Sequence, residues 1–258
     1  MYASTYFENL MLGLLKGTSI GANATFYLGL FLSNPGESGS AGTEITYTNY
    51  ARQAITFSAP TASGTGLMIQ NSSLINFAEA SSSAGTVTYV GVFDSLTSGN
   101  MYLYGSLDQP LVVQSGVSPV FRAGSVKWIW TGNMSSYYRT AVMNVMRGSA
   151  VTGFSPYVAL YNGDPNTTGQ ELSGGNYARF AATFTNPTQL SGGSMVQNNN
   201  DILSSISTAS WGTMTHIALF DAQTGGNMFA SMSLGKSYSI PMGTAVGFHT
   251  ADLQFTIS

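Results

Sequence analysis

Cysteine is absent from the 258 residues, which excludes a disulfide frame, a thiolate nucleophile and a zinc cluster. Charge is almost as scarce. Only 7% of residues are Asp, Glu, Lys or Arg, against about 25% in ordinary soluble domains. With eight Lys and Arg and a net charge of −3, there is no basic field to neutralise phosphates, so nucleic acid is not an expected partner. A chain with so little charge has little to repel its own copies, which favours self-association. Long apolar runs are also missing. Leu10 to Leu15 is too short to span a bilayer and carries Glu8 just before it, so it reads as a core helix rather than a leader or a membrane anchor. A similar apolar stretch from Val142 to Met146 stands mid-chain, and no membrane partner is expected.

What is present is present twice. Asn49-Tyr50-Ala51-Arg52 returns as Asn176-Tyr177-Ala178-Arg179, 127 positions later. Phe93-Asp94 and Gly99-Asn100-Met101 return at the same spacing as Phe220-Asp221 and Gly226-Asn227-Met228. Upstream the offset drifts, with Lys16-Gly17 matching Arg147-Gly148, as loop insertions produce. The period is far longer than a solenoid layer, so each copy reads as a domain, 1–131 and 132–258. A residue found in only one copy cannot belong to a function that both perform.

Each copy opens with a helix signal. Ser4 or Thr5 can cap the first, and Phe7, Leu10, Met11, Leu14 and Leu15 follow helical spacing up to Lys16 and Gly17. Ser135 or Ser136 caps the second, with Tyr138, Ala141, Val142 and Val145 as its apolar face. Strand signals follow at Phe26 to Leu32, Tyr50 to Phe57, Leu67 to Ile69, Leu74 to Phe77, Val87 to Phe93, Met101 to Leu107 and near Val117 to Trp130. Equivalents include Tyr157 to Tyr161, Met214 to Phe220 and Val246 to Ile257, and Asp94 to Asn100 and Asp221 to Asn227 read as hairpin connections. The pattern predicts a mainly β protein of two tandem β-sandwich, jelly-roll-like domains, each preceded by an amphipathic helix.

The residues offer little chemistry. His216 and His249 are the only histidines, both in the second copy, and no strained Gly-x-Ser-x-Gly turn accompanies them. Asp164 to Glu171 departs from the calcium-loop spacing and reads as an ordinary turn. No catalytic residue, metal site or cofactor is therefore expected. Both copies do keep a charged trio, Glu44, Arg52 and Asp94 against Glu171, Arg179 and Asp221. An Arg set among Ala and aromatics needs an acceptor, so the trio predicts a structural ion pair from each Arg to one of its two acids. Where the copies differ, contact surfaces are expected: Trp211 stands opposite Ala84, and His216 opposite Tyr89. Trp128 and Trp130 alternate on one strand, with the core as their expected place.

The run Tyr157-Val158-Ala159-Leu160-Tyr161-Asn162-Gly163-Asp164-Pro165, then Glu171-Leu172-Ser173-Gly174-Gly175-Asn176-Tyr177-Ala178-Arg179, then Trp211 to Ala222, resembles the tail-fibre or minor tail proteins of tailed phages. The first copy departs from the pattern at Ala84, at Tyr89 and in a Glu44 to Asn49 loop without Gly-Gly. The resemblance implies a non-catalytic virion component, with other virion proteins and its own copies as partners. A trimer would present six similar units around its axis. Capsid decoration is an alternative position on the particle. Adhesion to a host-surface glycan is an alternative role, and it requires exposed Trp or Tyr on a sheet face.

Overall fold

The computed structural model describes residues 1–257. In the first copy β1 (Tyr2–Ala3) leads into α1 (Thr5–Leu15), followed by β2 (Phe26–Phe31), β3 (Gln53–Ile55), β4 (Thr61–Ser63) and β5 (Gly66–Gln70). Then come β6 (Ile75–Asn76), β7 (Gly85–Phe93), β8 (Met101–Val113), β9 (Val120–Phe121) and β10 (Lys127–Trp130). The second copy starts with α2 (Ser136–Val145), β11 (Tyr157–Tyr161), β12 (Phe180–Ala181), β13 (Thr188–Leu190) and β14 (Gly193–Gln197). It ends with β15 (Ile202–Leu203), β16 (Gly212–Phe220), β17 (Met228–Ile240), β18 (Gly247–Phe248) and β19 (Gln254–Ile257).

The chain is mainly β, and every pairing is antiparallel. The main sheet of the first copy has the order β1-β8-β7-β2-β3, and that of the second β12-β11-β16-β17. The short β1 has no strand counterpart, but Met134 bridges Ala230 where Ala3 pairs with Leu103. Smaller sheets repeat as β10-β5-β4 and β13-β14-β19, and as the ribbons β6-β9 and β15-β18. Register repeats too. Tyr27 faces Phe93 as Tyr157 faces Phe220, and the long hairpin breaks register at Val87/Tyr89 and again at Met214/His216. At that break one residue on β16, Thr215, lies opposite four on β17, Leu234 to Ser237, which are pushed out of the ladder.

Two sequence-predicted strands are shorter than the patterns suggest. Tyr50 and Arg52 precede β3, because the Tyr50 N–H closes a turn on Tyr47 O and both side chains are committed to Glu44. The run from Val117 to Trp130 divides at a turn in which Gly124 N–H donates to Asn71 O. β4 and β13 carry too few branched apolar residues to announce themselves, and the far half of β8 is interrupted by Asp108-Gln109-Pro110.

Both helices stop and start by the same devices. Ser4 Oγ accepts from Phe7 N–H and Ser135 Oγ from Tyr138 N–H, satisfying one of the free donors of each first turn. At the other end Thr18 N–H returns to Gly13 O and Gly17 N–H to Leu14 O, with Gly17 at φ +95°. Ser149 and Gly148 repeat this Schellman pairing onto Asn144 and Val145.

The helices also join the copies. α1 packs on β8 of its own copy and on β14 and β19 of the other, while α2 packs on β17 and on β5. Tyr138 Oη, fully buried, donates to Met11 O at 2.5 Å, tying α2 to α1. Ile20 and Val151 occupy equivalent positions and pair with each other through both N–H···O bonds. A residue that pairs with its own counterpart marks a local two-fold relation between the copies. One continuous apolar core, from Phe7 and Trp128 to Phe229 and Phe255, therefore runs through both halves.

Candidate functional site: repeated pins and an unrepeated cavity

The charged trio is a pin built twice. Arg52 Nε donates to Glu44 Oε1 at 2.9 Å and Nη2 to Oε2 at 2.8 Å, a two-pronged pair in which planar fork meets planar carboxylate. Nη1 takes the carbonyls of Ser95 and Ser98 at the hairpin tip. The guanidinium lies 3.5 Å over the Phe93 ring, a contact worth about 1–2 kcal/mol when desolvated. Tyr50 Oη donates to Glu44 Oε1 and accepts from Leu30 N–H. Arg179, Glu171, Ala222, Gly225, Phe220, Tyr177 and Leu160 repeat each contact. Both arginines are buried.

Asp94 and Asp221 do not meet these arginines. Asp94 accepts from the Asn100 N–H and side-chain amide, and Asp221 from those of Asn227, closing the loop whose carbonyls the Arg grips. Gly99 and Gly226 sit at φ +74°, and a Cβ there would come within 2.4 and 2.3 Å of the Asp Oδ1. All three acids and bases of each trio are thus engaged in holding one hairpin; Glu44 and Arg52 line a cavity of about 310 Å³ whose lining does not include Asp94.

The expected contact surface at Trp211 is corrected. Trp211 is 3% exposed and packs edge-on against Tyr177 at 5.4 Å, whereas in the first copy Phe77 lies parallel to the equivalent Tyr50 at 6.1 Å. Burial of so large a ring outweighs even its orphaned Nε1–H. Trp128 and Trp130 are buried as a stacked pair, so none of the three tryptophans offers a sugar platform. His216 is half-buried on β16 opposite Tyr161, with Nδ1 2.9 Å from Thr215 Oγ1. His249 is exposed, 3.6 Å from Asp201. In the turn that begins at Asp164 its carboxylate accepts from Asn166, while Glu171 belongs to the pin, and no cluster of metal-ligating side chains occurs among the described residues.

Tyr89 has a different setting. It lines a cavity of about 480 Å³ with Tyr2, Tyr104, Glu8, Glu37 and Gly192, the last from the other copy. Glu8 is 2% exposed and accepts from Ser194 Oγ at 3.0 Å. Burial, with Glu37 nearby, pushes its carboxyl up to about 7 despite that hydrogen bond. The Tyr104 phenol is raised by burial and then by Glu37, Glu8, Tyr2 and Tyr89, so these groups converge. No cation lines the cavity. At the matching positions the second copy has Arg139, His216 and Ser231 in place of Glu8, Tyr89 and Tyr104.

The family profile described as Podophage GP4 fiber I protein gp80 matches residues 2–129 and again 133–256. The chain belongs to this family. No curated protein matches it. Membership places this fibre protein in the phage virion and supports a structural role in the tail fibre. The two matched segments coincide with the two copies, so the duplication is of a whole fibre-family unit.

Sequence reasoning missed two features of this fibre protein. Asn71 and Asn198 are buried equivalents whose amides bond Arg122 O and His249 O, and whose Oδ1 accept from Val126 and Leu253 N–H. Their recurrence at 127 positions was the available signal. Glu8 was visible as an acid on an apolar helix face, but its partners lie 186 residues away at Ser194 and in a separate loop at Glu37.

Proposed function

We propose that this protein is a non-catalytic assembly subunit of a podophage tail fibre, contacting its own copies and neighbouring virion proteins through uncharged polar and apolar surface. The observation that carries this reading is the double match to one fibre family in a chain whose copies share a single core around a local two-fold. Residues 1–131 and 132–258 act as two sandwich-like units, each fronted by its helix, fused into one block. The repeated strand orders and the Arg pins support treating them as equivalent units with unequal surfaces. A homo-oligomer, with a trimer as the first candidate, gives such a block its closed assembly. A cofactor, nucleic acid or membrane has no part in this reading.

Exposed apolar side chains differ between the units. Leu203, Ile206 and Met242 are exposed in the second, where the first has Asn76, Glu79 and Ser115. Unequal faces suit contacts to unlike neighbours. Native mass spectrometry of the purified chain, with its copy number per purified particle, tests the proposal. An oligomer, present at a few to a few tens of copies, is expected. A monomer at micromolar concentration, or hundreds of copies per particle, would overturn the fibre-subunit reading, the latter in favour of a capsid decoration.

A further inference from the structure

The cavity beside Tyr89 holds two carboxylates, three phenol rings and no positive charge. The ion pairs among the described residues, Glu44–Arg52 and Glu171–Arg179, are elsewhere, as is the contact of His249 with Asp201. Among the described residues the Glu8 carboxylate is hydrogen-bonded only by the Ser194 hydroxyl, and that of Glu37 only by the side-chain amide of Gln189. A carboxylate taken out of water without a countercharge is costly, and a cation entering the cavity removes that cost. Tyr2 and Tyr104 stand 5.9 Å apart at the rim, and aromatic faces there favour a cation further. Such a recess takes an alkylammonium or guanidinium group.

The chain carries a cation built to reach out. Lys236 sits in Leu234 to Ser237, the four residues pushed out of the hairpin ladder opposite Thr215. Gly235 takes φ +65° at the start of this projection, and Lys236 is exposed with no ion-pair partner among the described residues. Leu234 and Tyr238 flank it and line an apolar groove of about 430 Å³, so the projection offers a charge set in apolar surface. The first copy's projection, Leu107-Asp108-Gln109-Pro110, has an acid and no base. Each half therefore lacks what the other displays: the acids of the recess belong to the first, the basic projection to the second.

We propose that the recess is a socket for Lys236 of a second copy of this chain, so that the second half of one subunit docks on the first half of the next. The proposal rests on the homo-oligomer reading above and specifies its contact. Because the joined surfaces are different, the contact is head-to-tail, and it closes into a ring or continues along the fibre according to the rotation between subunits.

The test mixes ¹⁴N- and ¹⁵N-labelled chains and treats the oligomer with a water-soluble carbodiimide, which joins a carboxylate and an amine only in direct contact. The expected product is a mixed-label peptide linking Lys236 to Glu37 or Glu8. K236E is expected to weaken association by about tenfold or more, and E37K in the same chain to recover most of the loss. Thermal melting of K236E as a monomer should match the parent, since Lys236 makes no ion pair among the described residues. An oligomer in which Lys236 stays free, or links only to other acids, overturns the socket while leaving the homo-oligomer intact. So does a K236E oligomer of undiminished strength. If the parent chain is only monomeric, the homo-oligomer reading itself fails. A soluble sugar that protects Glu37 from carbodiimide while Lys236 remains free would also overturn the proposal, making the recess a glycan site.

Discussion

In the first half Phe77 lies nearly parallel to Tyr50, 6.1 Å away, and Ala84 stands just before β7. In the second half those two positions are Ser204 and Trp211, and the indole meets Tyr177 edge-on at 5.4 Å. A large ring meets the tyrosine from a different sequence position in each half, while the tyrosine stays bound to the same Arg–Glu pin. Cores accept such exchanges when total volume and pattern are kept. A difference between repeats therefore has two meanings. Inside, as at Trp211, a large ring still packs on the pin tyrosine from another position. At the cavity, where Glu8, Tyr89 and Tyr104 stand against Arg139, His216 and Ser231, no neighbour restores the lost character, and the two halves present different chemistry.

The sharpest way to break this comparison is W211A. It should cost about 3–5 kcal/mol, as truncation of a large buried ring does, read as a lower denaturation midpoint. S204F on the W211A background should return at least about 1 kcal/mol beyond the sum of the single changes. Strict additivity would show that the two positions do not share one volume.

R52A and R179A probe what the halves have in common. Each strands a part-buried Glu and two hairpin carbonyls, and each should lower stability by about 3 kcal/mol. The two losses should agree within about 1 kcal/mol. A large loss in one half and none in the other would end the equivalence of the pins.

Glu8 separates the halves by pH. Its carboxyl, raised from 4.5 to about 7 by burial and then by Glu37 against the opposing Ser194 bond, holds its proton more tightly folded than unfolded. Its contribution to subunit stability is thus full below about pH 4.5 and is lost as pH rises through about 7. E8Q should flatten that slope and raise stability at pH 8.5 by about 2 kcal/mol, measured by denaturant titration of the monomer. An unchanged slope would show that Glu8 is not the titrating group. Association should move the other way, strengthening between pH 6 and 8 as Glu8 loses its proton and presents its charge to Lys236.

The smallest effect is expected at the hairpin tips. D94A and D221A each remove acceptors from one asparagine and should cost about 1 kcal/mol. Both should leave the Arg–Glu pair in place, because neither Asp touches an Arg. A loss as large as that of R52A would mean that the loop cannot present its carbonyls without the Asp.

Much of this molecule is determined locally. A Ser before an apolar run caps a helix, a basic residue and Gly end it, and Phe-Asp followed by Gly-Asn-Met turns a hairpin, because each device satisfies backbone groups a few residues away. Repetition then multiplies the signal, so the mainly β character, the doubled unit and the importance of the Arg and its acids could be read from one chain. Three matters were decided only in three dimensions. Sequence could not choose between Glu44 and Asp94 as the partner of Arg52, since both lie within loop reach and only the packed hairpin puts carbonyls where Asp94 would stand. Nor could it distinguish a buried Trp211 from an exposed one, because that depended on its packing against Tyr177 and Phe180. The recess required the helix of one half to be pressed on the sheet of the other, bringing Glu8 to Ser194. Contacts that span the two-fold are made between residues that share no local pattern, and their energies belong to the assembled core.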